Sequence, residues 1–150
     1  MAANLTYYIF EGVLAGTAGG HMFNITALSG GGGGSIVHPG NADTNNPYSQ
    51  GKKADEDKHI PGGPLPAGRY RIDPPAVHKG LGLSCQLDPF DDPNGKIMGR
   101  DGFYIHGRGK LGSYGCIVPM EKFTELMAAL GKDRGGVLFV LEAMGGGSFV

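Results

Sequence analysis

A single segment of this 150-residue chain carries the apolar periodicity of a helix. Phe123, Leu126, Met127 and Leu130 recur at i, i+3, i+4 and i+7, a stripe along one face. Pro119 suits the first helical position, where its missing N–H leaves no bond unmade. Gly131, with Lys132 beside it, reads as the C-terminal cap. The rest of the chain consists of short runs of aromatic and β-branched residues broken by turn formers. With 29 glycines and 10 prolines, that pattern predicts one mainly β domain over residues 1–150, a β-sandwich or other β-rich arrangement, with one helix after Cys116.

The strand runs are legible one by one. NLTYYIF (4–10) and HMFNITALS (21–29) read as paired strands, with GVLAGTAGG as the loop between them. SGGGGGS (29–35) reads as a flexible internal loop. Residues 38–66 are polar, hold Pro39, Pro47, Pro61, Pro64 and Pro66, and read as a long surface loop. GPLPAGRYRID (63–73) reads as a proline-set turn feeding a strand at Gly68–Asp73. LGLSCQLD (81–88), GFYIH (102–106) and GVLFVLEA (136–143) complete the set of strands, the last of them buried.

Several function classes are excluded early. A net charge of -1 gives no electrostatic pull toward nucleic acid or an anionic membrane. No apolar run reaches the roughly 18 residues needed to insert into a membrane. The opening MAANLTYYIFEGVLAG lacks a basic n-region and reads as a strand, so no secretory signal is expected. His21, His38, His59 and His78 lack metal-ligand spacing and read as solvated, so neither metal nor cofactor is implied. Cys85 and Cys116 allow one disulfide at most, and Cys85 reads as a core residue in an alternating strand.

The chemistry concentrates in FYIHGRGKLGSYGCIVP (103–119). Gly107, Gly109 and Gly112 match a dinucleotide fingerprint, but no helix opens at the third glycine. A second reading makes His106 a satisfied histidine at a strand end and Cys116 a small buried residue. A third makes them a base and a nucleophile. Thiols attack as thiolates, so such a site must lower the cysteine pKa. The loop 107–115 can fold back, Gly115 permits a sharp bend, and a helix starting at Pro119 would add its dipole.

His-Gly followed by SYGCI resembles the L,D-transpeptidase (YkuD-type) signature. ITALSGGG, NNP and GGPLPAGRYRI, in that order, resemble the L,D-transpeptidase effectors of the bacterial type VI secretion system. The resemblance implies an L,D-transpeptidase-like fold in which Cys116 is the nucleophile and His106 the base and later the acid. It implies that Ser113 shapes the loop, that Gly115 and Cys116 offer oxyanion N–H groups, and that a carbonyl near Gly107 orients the imidazole. The substrate would be the peptidoglycan stem tetrapeptide, cut or exchanged before its terminal D-residue. Arg108, Lys110, Arg69 and Tyr70 would bind it, against plain solvation for the first two and packing for Tyr70. An effector also implies the secretion apparatus and an immunity protein as partners, and action in the target-cell periplasm without a signal peptide. Where many YkuD-type enzymes carry an arginine two residues after the cysteine, this chain has Val118, which points toward the effector branch. A cysteine hydrolase of another amide and a catalytically silent wall-binding or tail-associated module stay open.

Overall fold

The structure is a computed structural model that describes residues 2–32, 42–55, 57–58, 60–90, 94–107 and 114–145. It opens with a three-strand meander, β1 (Ala3–Tyr8), β2 (Val13–Ala18) and β3 (His21–Ser29). The segment expected as a loop between two strands is thus itself a strand, paired to β1 through Leu5–Gly16 and to β3 through Leu14–Ile25. Its two glycine-flanked ends conceal the β signal of Val13 and Leu14. Alternation decides the faces: Phe23, Ile25, Ala27 and Ser29 of β3 point inward, and Met22, Asn24 and Thr26 outward.

The next strands are β4 (Gly68–Ile72), β5 (Ala76–His78), β6 (Gly82–Pro89), β7 (Phe103–His106) and β8 (Ile117–Pro119). After helix α1 (Phe123–Asp133), β9 (Gly136–Leu141) enters between β1 and β4, parallel to the first and antiparallel to the second. The strands follow the order β4-β9-β1-β2-β3-β8-β7-β6-β5, and a further β4–β6 pairing closes the sheet on itself. Strand β6 makes that closure possible by splitting its partners, giving Ser84 to β5 and Leu87 to β4. The domain is therefore mainly β with one helix, as the sequence predicts.

The helix differs at both ends from expectation. Pro119 lies in β8 opposite Ala27, and α1 starts only after Lys122, which takes a left-handed conformation. A three-residue strand and a turn thus separate Cys116 from the helix along the chain. At the other end the helix runs past Gly131 to Asp133, and left-handed Arg134 closes it with its N–H on the Gly131 carbonyl. The apolar stripe behaves as predicted: Leu126, Met127 and Leu130 join the same core as Leu5, Tyr7 and Ile105.

The long loop is not wholly a surface feature. Asn46 caps a short 3-10 turn at Pro47–Ser49, and residues 62–66 are buried. Gly62 accepts from the Gly31 N–H and donates to the Gly32 carbonyl, just after β3, so the proline turn is folded inward beside the end of that strand.

Candidate functional site

Strands β7 and β8 run parallel, with Ile105 opposite Ile117. Cys116 lies one residue before that pair and His106 one residue after it. Side chains alternate along a strand, so His106 at the end of β7 projects to the face opposite Ile105, while Cys116 immediately precedes β8. Strand spacing and rise put their Cα atoms about 8 Å apart, within side-chain reach. Both are largely enclosed, His106 at 6% and Cys116 at 9% exposure.

The Tyr104 N–H donates to Cys116 Sγ at 3.3 Å, and the Gly102 carbonyl lies 3.9 Å from the sulfur. Burial pushes the Cys116 thiol up to about 11, against the opposing pull of the Tyr104 N–H and the Arg100 guanidinium. A lowered pKa was expected. Instead burial favours the protonated thiol.

The two residues before Cys116 are held by two buried side chains. Ser29, fully buried, donates to the Gly115 carbonyl at 3.1 Å and accepts from the Leu65 N–H at 2.8 Å. Asn45 fixes Ser29 in turn, accepting its backbone N–H at 2.9 Å. Arg100 is 3% exposed and donates to the carbonyls of Gln50, Gly63, Pro64 and Tyr114, the last at 2.7 Å. Gly115 has to be glycine: its φ is +129°, and a Cβ there would sit 2.5 Å from Arg100 Nη2 and 2.9 Å from the Phe103 ring. Gly107 is constrained from the other side, since a Cβ there would come 2.9 Å from the Phe123 ring.

Of the residues expected to bind substrate, Tyr70 is fully buried, donates to the Pro66 carbonyl at 2.6 Å and packs edge-on against Phe103. It supports the site from the core instead of lining it. Arg69 is exposed on β4 and stacks over Phe90 at 5.4 Å. Arg108, Lys110 and Ser113 lie outside the described residues. Cys85 is a buried free thiol in β6, as expected, 3.9 Å from Met127 Sδ. His78 does not stand alone in solvent: its Nδ1 is 2.7 Å from Ser84 Oγ, and Ser84 sits directly opposite His106.

Sequence reading missed Ser29, Arg100 and Ser84. Each is a polar residue in or beside an apolar run, a weak signal until its partners are known. Among the described residues, no cluster of His, Cys, Asp and Glu could hold a metal, and no helix is long and apolar enough to cross a membrane. A cavity of about 460 Å³ opens beside α1, lined by His21, Phe23, Lys122, Glu125 and Ala129 among others; none of the motif residues line it.

No family model matches the chain, and no curated protein matches it in sequence. Solved structures do. The helical cell shape determining protein Pgp2 from Campylobacter jejuni superposes with a TM-score of 0.53 at 15% identity, over 95% of this chain and 48% of that one. A mutant of the same protein gives 0.53 over 47% of its length. An L,D-transpeptidase from Xylanimonas cellulosilytica gives 0.49 at 13% identity, over 93% of this chain and 60% of that one. The chain thus shares its fold with Pgp2 and spans about half the length of that protein.

Proposed function

We propose that this protein is a cysteine acyl-transfer enzyme acting on peptidoglycan stem tetrapeptides, an L,D-carboxypeptidase or L,D-transpeptidase. The observation that supports the reading is the parallel β7–β8 pairing of Ile105 with Ile117, with His106 and Cys116 each one residue from that pair. His106 takes the Cys116 proton as sulfur attacks the carbonyl joining the L-centre of the diamino acid to the terminal D-residue. The C–S bond forms, and the carbonyl oxygen takes the negative charge. The C–N bond then breaks, and His106 returns the proton to the leaving D-amino acid. Water attacking the thioester gives the shortened peptide, while an amine gives a cross-link or an exchanged D-residue. The SYGCI and GPLPAGRY motifs support this substrate class, and a fold shared with a cell-shape protein agrees with an envelope substrate.

The order of the motifs also supports delivery by a type VI apparatus into the target-cell periplasm, with an immunity protein in the producer. Muropeptide profiling of digested sacculi tests the enzymatic reading. Wild type should remove or exchange the terminal D-Ala, and Cys116→Ala should not. Intact tetrapeptides with both proteins would instead favour another amide substrate or a silent wall-binding module. Directing the chain to the periplasm of a susceptible cell tests the effector reading: lysis should follow with wild type only.

A further inference from the structure

We infer that Ser29 and Arg100 are positioning residues that build the oxyanion site, by fixing the two peptide planes immediately before Cys116. The inference rests on the acyl-transfer reading above. A trans peptide is planar, so its C=O and N–H point in opposite directions. The Tyr114 carbonyl is drawn to Arg100 Nη2 at 2.7 Å, which aims the Gly115 N–H the other way. The Gly115 carbonyl is drawn to Ser29 Oγ at 3.1 Å, which aims the Cys116 N–H the other way.

Both anchors also hold one and the same turn. Arg100 donates to the Gly63 and Pro64 carbonyls at 2.9 and 2.8 Å, and Ser29 accepts from the Leu65 N–H at 2.8 Å. Both carbonyls therefore face the buried proline turn, and both N–H groups face away from it. Consecutive carbonyls in an extended chain alternate. They share a side here because Gly115 takes a φ of +129°. Two successive N–H groups on one side form a concave anion site. Aimed before the reaction starts, they meet the developing oxyanion without reorganising.

The enclosure of Arg100, at 3% exposure, leaves it no access to a substrate carboxylate. The groups facing Cys116 include the Tyr104 N–H, the Gly102 carbonyl and Arg100. Arg100 is itself beside Tyr70, whose phenol burial keeps neutral.

The experiment compares two reactions of the same sulfur in the purified chain. Acylation by p-nitrophenyl acetate passes through an oxyanion: the C–S bond forms, the C–O bond breaks and nitrophenolate leaves. Alkylation of Cys116 by iodoacetamide displaces iodide and forms no oxyanion. Ser29→Ala should slow acylation about tenfold or more and leave alkylation, read by mass spectrometry at Cys116, within about twofold of wild type. If Ser29→Ala does not fold, Arg100→Lys serves, since it keeps the buried charge but not the fork on four carbonyls; the same selective loss is expected. Equal slowing of both reactions, or undiminished acylation, overturns the inference alone. A wild type that is alkylated at Cys116 but never acylated overturns the acyl-transfer reading, and this inference with it.

Discussion

Neither Cys85 nor Cys116 is in a disulfide and both are buried, yet their surroundings differ. Cys85 stands in mid-strand opposite Ile105, with Met127 Sδ 3.9 Å from its sulfur. Burial pushes it up to about 12, and the charge of Asp73 pushes the same way. Cys116 is pushed up to about 11 by the same cause, but an N–H and a guanidinium pull against it. The row Cys85–Ile105–Ile117 crosses three strands on one face. Ser84 and His106, each one residue along, form a row on the other. Burial raises both thiols, and only at Cys116 do polar groups, the Tyr104 N–H and Arg100, oppose it.

Two truncations separate the two thiols most sharply. Cys116→Ala should cut muropeptide turnover by about 10⁴-fold, and His106→Ala by a similar factor, because they act as a unit. Cys85→Ala should keep turnover within about twofold while lowering the unfolding free energy by about 1–2 kcal/mol, since it opens a small core void. Turnover assays and urea melts read both. Comparable activity losses in Cys85→Ala and Cys116→Ala would end the contrast.

Much of this division was legible in the chain itself. The stripe from Phe123 to Leu130 gave the helix, and the glycine and proline spacing gave the β class. His-Gly and SYGC singled out His106 and Cys116 as the candidate pair. The helix start was misplaced because Pro119 also suits the end of a short strand, and only pairing with Ala27 decides between them. The proline turn stood out as GPLPAGRY, but its purpose did not. That purpose is the contact of Gly63, Pro64 and Leu65 with Arg100 and Ser29, made across 36 residues or more. No local pattern encodes such a contact, and a lone serine or arginine beside a strand carries no periodic signal.

Alkali should act on both thiols together. Folding raises Cys85 and Cys116, and burial also raises Tyr7 and Tyr70 above the ordinary tyrosine range. The folded state therefore keeps protons that the unfolded chain releases. The stability these groups contribute is complete below about pH 8.5, the unfolded cysteine value, and falls as pH rises toward the folded values. Each thiol should cost about 1.4 kcal/mol per pH unit within its window. Urea midpoints measured at increasing alkaline pH should decline, and less steeply in Cys85→Ala. A midpoint independent of alkaline pH would mean that the thiols are not held protonated by folding.

Arg100 gives a smaller and more selective effect. Arg100→Met removes a charge that favours the Cys116 thiolate, so alkylation at Cys116 should slow by about five- to tenfold at a given pH. The wild-type rate should keep climbing with pH toward about 11, and Cys85 should stay unlabelled while the chain is folded. A wild-type plateau near neutrality would show a preformed thiolate and would make Arg100 less important than His106.

The smallest effect belongs to Ser84, which shares β6 with Cys85 but pairs with His106. It lies opposite His106, and its hydroxyl is 2.7 Å from His78 Nδ1 and donates to the Gly82 carbonyl at 3.0 Å. His78 in turn packs on the Tyr104 ring at 4.8 Å, the residue whose N–H holds the Cys116 sulfur. A buried hydroxyl committed to β5 and β6 steadies the wall behind the imidazole without touching the reacting atoms. Ser84→Ala should therefore lower acylation by about two- to fivefold, as expected for the loss of about 0.5–1 kcal/mol of hydrogen bonding, and leave the alkylation profile of Cys116 in place. A loss of a hundredfold would move Ser84 from support to direct partner of His106. The polar groups that distinguish the two thiols would then come from β6, the strand of Cys85, as much as from β7 and β8.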